Sequence, residues 1–198
     1  MCTLQAVAII LAAGFSRRMG QCKASLPWAG KDTLLTYQML QFINADVFPI
    51  VILGRHNEHL QYADVPKSGT FAVNSDASRG KVSSILVGLN QLPSQWDAVF
   101  ISAVDQPRST VVYRKLLNAF AQYHAPITIP SYQGRTGHPI LFSRALLPQL
   151  YAIQEETCGL RQVVNDYSTT AHYIEIEHME VLSDLNTPAH YQQALPGA

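Results

Sequence analysis

The sequence predicts an α/β domain built on a mostly parallel central sheet flanked by helices, with a small β insertion. Three observations lead there. Short apolar, β-branched runs alternate with longer amphipathic stretches over the first two thirds of the chain, which is the rhythm of repeated βα units. The strand candidates are apolar throughout rather than alternating, as expected of strands covered on both faces. Finally, 198 residues with 47% hydrophobic and 14% charged content are enough for one well-filled core and short for two, so residues 1–198 are expected to form a single domain.

The elements follow in order. "AVAIILAA" (6–13) reads as a first strand, with a helix over about 33–45 behind it. "FPIVILG" (48–54) leads to a helix at 56–63, "TFAVN" (70–74) to one at 81–92, and "DAVFISAVD" (97–105) to one at 109–123. After Pro126 the rhythm changes: "PITIPSY" and "HPILF" read as two strands joined by the polar turn "QGRTG", a β-rich insertion expected to lie over the sheet. Helices near 143–151 and 158–166, a strand in "AHYIEIE" (171–177) and a closing helix with Pro188 in its first turn complete the chain.

Composition narrows the partners. Fourteen basic residues balance fourteen acidic ones, so no overall field favours nucleic acid or a membrane surface, and any anion site must be local. The three cysteines, Cys2, Cys22 and Cys158, are scattered and form no C-x-x-C pair, which argues against a disulfide framework and a zinc site and for a reducing, cytoplasmic setting. The N-terminal apolar run is too short to span a bilayer and lacks a basic start.

In an open α/β sheet, ligands sit beyond the carboxyl ends of the strands. Two such ends carry chemistry. After the first strand, Gly14 is followed within ten residues by Ser16, Arg17, Arg18, Gly20 and Lys23, a mix of mobile backbone and cations suited to a triphosphate. The spacing is neither G-x-x-x-x-G-K-[ST] nor G-x-G-x-x-G, so the usual phosphate-loop and dinucleotide readings fail. The competing role is a solvated basic loop. After "AVFISAV", Asp105 stands on a stiff turn before Gln106 and Pro107, a suitable ligand for magnesium. Asp184 in "LSDLNTP" offers a second oxygen. Helix capping competes at each: Asp105 for the helix near Ser109, and Asp184 or Asn186 for the Pro-started helix.

Further candidates are weaker in pattern. Gly80, Ser83 and Ser84 stand at a helix start, where hydroxyls and free N–H groups could read a base or ribose, and ordinary capping competes. "GRTGHPILF" places Gly134, Arg135, Gly137 and His138 in a turn before a strand. The seven histidines show no H-E-x-x-H spacing and no cue for a Ser/His/Asp set, and His56 and His59 read as solvated.

Taken together, "LAAGFSRRMG" with Lys23 downstream, "VDQP", "GHPILF", "GLR" and "SDLNTP" occur in the order seen in MobA-like nucleotidyltransferases, and the chain resembles that family from residue 9 to about 191. Within it the chain is similar to the molybdenum cofactor cytidylyltransferases. The resemblance implies a Rossmann-like, GT-A-like nucleotidyltransferase fold and a Mg2+-dependent transfer of CMP from CTP to molybdopterin with release of pyrophosphate. It implies that Leu11, Ala12, Ala13 and Gly14 wrap the base and sugar; Ser16 and Arg17 in the basic loop and Ser84 at the helix start are expected as further nucleotide contacts from their places in the sequence. Arg18 and Lys23 would meet the phosphates, Asp105 would bind magnesium with Asp184 or Asn186, and Gly137, His138 and Pro139 would face the acceptor. Ala13 stands where the guanylyl branch usually carries glycine, so CTP is expected. The chain departs from the cytidylyl pattern GDMP at Val104 and Gln106, and "DLNTP" (184–188) lies between that branch's DIDTP and the guanylyl NVNTP. The second metal ligand therefore stays open between Asp184 and Asn186. A molybdenum hydroxylase is the implied recipient of the product. The alternatives are transfer of another nucleotide to another phosphorylated acceptor, such as the guanylyl form of the cofactor or a sugar phosphate, and a non-catalytic protein that binds and delivers cofactor.

Overall fold

The computed structural model describes residues 4–195 except Lys31 and Asp64; Cys2 lies outside the described residues. Its strands are β1 (Ala6–Leu11), β2 (Pro27–Trp28), β3 (Asp32–Thr33), β4 (Val47–Gly54), β5 (Thr70–Asn74), β6 (Ala98–Ala103), β7 (Ile127–Tyr132), β8 (Arg135–Thr136), β9 (Ile140–Ser143) and β10 (His172–Glu175). The α-helices are α1 (Leu34–Asn44), α2 (Lys81–Leu89), α3 (Thr110–Tyr123), α4 (Leu147–Tyr151), α5 (Leu160–Asp166) and α6 (Pro188–Ala194).

The main sheet runs β10-β7-β9-β6-β1-β4-β5, with β8 added to β7 and β2-β3 forming a separate small ribbon. β1 pairs in parallel with both β4 and β6, so Leu11, Ile52 and Ala103 lie side by side. Alternation along β1 shows why its run is continuously apolar. Ala6, Ala8 and Ile10 enter a core with Met39, Phe42, Val112, Tyr113 and Leu116 from α1 and α3. Val7, Ile9 and Leu11 enter a second core with Val82, Ile85, Leu150 and Val163 from α2, α4 and α5. Each face of the sheet thus has its own apolar layer, which is what a two-sided buried strand requires.

Two expectations are corrected. The pair of strands after Pro126 does not lie over the sheet but extends it: β9 pairs antiparallel with both β6 and β7, and β10 adds in parallel at the edge. Apolar periodicity reports that a strand is buried, not which strand it pairs with. Because β9 is reversed, its first residue, Ile140, is level with Ile101 near the carboxyl end of β6. The residues preceding β9 therefore reach the same end of the sheet as those following β1 and β6. The segment expected as a helix at 56–63 is instead a kinked 3-10 run, Arg55–Tyr62, interrupted at Asn57 with φ of −132°.

Candidate active site

The loop after β1 is held from beneath. The Ala12 N–H donates to the Ile52 carbonyl at 2.8 Å, and the buried Asn57 carboxamide donates to the Ala12 carbonyl at 2.9 Å while accepting from the Gly54 N–H at 2.8 Å. Beyond Gly14 the chain curls back. The Ser16 carbonyl accepts from the N–H groups of Met19 and Gly20 at 2.8 and 3.1 Å, and its hydroxyl accepts from the Lys23 N–H at 3.2 Å. A Cβ built on Gly14 would meet nothing within 4 Å, so this glycine keeps one wall of the crevice low.

A crevice of about 430 Å³ lies over the carboxyl ends of β1 and β6. Leu11, Ala13, Gly14, Ser16, Lys23, Ser84, Asp105, Asp184 and Asn186, all candidates from the sequence, line it together. Ala12 is buried beneath the crevice, its carbonyl held by Asn57. Arg18 reaches across to donate to Asn186 Oδ1 at 3.3 Å. The Arg17 guanidinium lies 5.9 Å from the ring centroid of the exposed Phe15, outside the lining of the crevice. A cation over an aromatic face is favoured without any ligand.

At the floor, the Lys23 ammonium donates to Asp105 Oδ2 at 2.5 Å and to Asn186 Oδ1 at 3.1 Å. Both side chains of the ion pair are mostly withdrawn from water, 12% and 18% exposed. The capping alternatives do not hold. Ser109, the first residue before α3, is bonded through its N–H and hydroxyl to Glu180, and α6 is capped by Thr187, whose hydroxyl accepts from the His190 N–H. Asp105, Asp184 and Asn186 are thereby free of helix-end duty. Ser83 and Ser84 are tied by the Asn74 carboxamide at 2.8 and 2.9 Å, and Glu155 takes the Val82 N–H at the start of α2.

A second cavity, of about 620 Å³, adjoins the first, with Lys81 common to both. Gly137 and His138 line it, over an apolar floor that includes Ile85, Ile129 and Val164; Pro139 is buried beside them and follows a cis peptide bond. Burial, reinforced by Lys81 and Arg108, lowers the His138 pKa, against the opposing pull of Asp184 and Asp105. The imidazole is therefore held neutral.

Sequence reasoning missed the polar groups beneath the site. Arg108, with 0% exposure, donates to the carbonyls of Pro107, Ser183, Val181 and His138, stitching the three loops that carry Asp105, Asp184 and His138. Burial lowers its pKa, and the neighbouring Asp184 works in the other direction. Gln38, buried on α1, donates to Ser102, Ala103 and Gln106. A glutamine inside the apolar stripe Leu34, Leu35, Met39, Phe42 was the one available signal.

Residues 8–172 match the model of the MobA-like NTP transferase domain. The chain belongs to this family. It is 32% identical over 185 residues to the molybdenum cofactor cytidylyltransferase of Escherichia coli strain K12, spanning 91% of this chain and 90% of the relative. It is 26% identical over 195 residues to the purine catabolism protein PucB of Bacillus subtilis strain 168, covering 93% of each. In fold it resembles Rv0371c of Mycobacterium tuberculosis H37Rv, with a TM-score of 0.84 at 23% identity and coverage of 98% and 99%; that protein has also been solved as a complex with manganese. This MobA-like chain is thus a nucleotidyltransferase, homologous to the cofactor cytidylyltransferases. No helix among its described residues is long and apolar enough to cross a membrane.

Proposed function

We propose that this MobA-like transferase moves CMP from CTP to molybdopterin, releasing pyrophosphate, with Mg2+ as the metal. The observation that carries the proposal is the convergence of Lys23, Asp105 and Asn186 on the floor of a crevice whose wall is the glycine loop. The donor set suits a hard cation. The carboxylates of Asp105 and Asp184 and the amides of Gln106 and Asn186 line the crevice, and no group of three or more His, Cys, Asp and Glu placed to hold a metal ion occurs among the described residues. Magnesium is bound by few protein oxygens together with substrate phosphates, so a sparse carboxylate site fits it better than a full cage. Asp105 and Asp184, or Asn186, would hold it, and when bound it neutralises charge on the phosphate oxygens.

The chain's own groups do the rest. The Gly14 loop gives the nucleotide close backbone approach, and Ala13 in the LAAG sequence favours CTP by resemblance to the cytidylyl branch. Lys23 and Arg18 place two cations where negative charge gathers as the α-phosphate is attacked and pyrophosphate leaves. In the transfer, an acceptor phosphate oxygen bonds to the α-phosphorus, and the bond from that phosphorus to the pyrophosphate oxygen breaks. A phosphate monoester with a second pKa of about 6 is already mostly ionised at neutral pH, so no strong general base is needed. The neutral His138 and the apolar floor of the adjoining cavity suit the body of a ring-containing acceptor. A reducing, cytoplasmic setting and delivery to a molybdenum hydroxylase follow from the same reading.

The test is pyrophosphate release with Mg2+ and each of CTP, GTP, ATP and UTP, with and without molybdenum-charged molybdopterin. Release from CTP that requires the cofactor supports nucleotide and acceptor together. Preference for another nucleotide, or turnover indifferent to molybdopterin, removes the specific assignment.

A further inference from the structure

The oxygens facing the crevice are not equivalent. Asn186 has a single side-chain oxygen, and Lys23 and Arg18 both donate to it. Asp184 has two. Its Oδ1 accepts from the Gln106 amide at 3.0 Å and lies 3.8 Å from the Arg108 guanidinium, whereas Oδ2 has no partner among the described residues. Gln106 is itself clamped. It is 5% exposed, its Oε1 accepts from the Ala103 N–H at 3.2 Å, and its carbonyl accepts from Gln38 at 3.1 Å. With Oε1 taken by a donor, the amide nitrogen is the end that must face Asp184.

The geometry points to Gln106 as a positioning residue. By anchoring Asp184 Oδ1 it presents Oδ2, rather than the Asn186 oxygen, as the second protein ligand beside Asp105 for a divalent cation. The inference rests on the metal-dependent reading above and names the device that makes it work in this chain. Gln106 stands where the cytidylyl pattern carries methionine, a side chain that cannot donate to a carboxylate. Groups that orient a ligand commonly matter to metal affinity almost as much as the ligands do.

The experiment uses the full chain and Mn2+ alone, with free ion counted by electron paramagnetic resonance. Gln106→Met keeps the length and the apolar contacts of the side chain while removing the donor, and should weaken Mn2+ binding about tenfold. Asp184→Asn, at a side chain 40% exposed and so harmless to the core, should weaken it further. If Gln106 acts through Asp184, the double variant binds no worse than Asp184→Asn alone, because coupled positions are not additive. A merely structural glutamine would lower the thermal midpoint and leave Mn2+ affinity untouched, which overturns the inference. So does a double variant whose losses add. Should wild type bind Mn2+ and Asp105→Asn weaken it while Gln106→Met does not, only the positioning role falls. If wild type binds no Mn2+ alone, and none beyond what CTP itself holds when that nucleotide is added, the metal reading falls with it.

Discussion

Replacing Arg108 by methionine is the sharpest test of how the site is held. Methionine fills much of the same volume, so the change isolates the loss of donors. Of the four carbonyls the guanidinium serves, Val181 keeps a second donor, the His138 N–H at 2.9 Å. Those of Pro107, Ser183 and His138 have no other partner among the described residues. A buried polar group stripped of its partner costs about 1–3 kcal/mol, but removing the guanidinium also removes its own desolvation penalty. Asp184 adds little, because its side chain is 40% exposed. The net loss should be about 3–5 kcal/mol, a large share of the stability of an ordinary domain. Urea unfolding should show a lower midpoint at constant slope, and Arg108→Lys, with three donors on a less rigid head, should recover part of it. A loss under about 1 kcal/mol, with Mn2+ binding intact, would refute the account of Arg108 as the stitch between the loops.

Three further outcomes are expected. Asp105→Ala should abolish pyrophosphate release and, because it leaves the largely buried Lys23 ammonium without its carboxylate, lower the urea midpoint while the protein stays folded, whereas His56→Ala, at an exposed ring stacked on Phe15, should leave turnover as it was; an active Asp105→Ala protein would contradict the site. A Cβ at Gly88 would stand 2.5 Å from Ile9 Cγ2, so Gly88→Ala should cost about 1–3 kcal/mol of overpacking, offset by at most about 1 kcal/mol of helix propensity, and urea unfolding of a variant no less stable than wild type would show that α2 does not pack so tightly on β1. Because the folded state lowers the His138 pKa, the unfolded chain binds the proton first as pH falls through about 6.5; stability should therefore drop on acidification across that window, and urea midpoints of His138→Gln should show a flatter dependence.

The parts of the site that could be read in advance are those a strand end announces. A buried run that stops at Gly14 or at Asp105 exposes its next residues at the sheet edge, and the parallel pairing of β1 with β4 and β6 brings those two ends level. His138 and Gly137 were legible as residues but not as neighbours of Asp105, because the reversal of β9 is decided by its pairing with β6, from Ile101 with Ile140 to Ala98 with Ser143, and not by local pattern. Gln106 and Arg108 were less legible still. On the page they are two polar residues flanking a proline, indistinguishable from a surface turn. Their meaning depends on partners 78 and 75 residues away, at Asp184 and Ser183. That division has a physical cause. A buried polar group is tolerated only where its partners are supplied, and the supply is a property of the packed chain. The charged groups facing the crevice are therefore readable from the ends of strands, while the network that aims them is readable only once the loops have met.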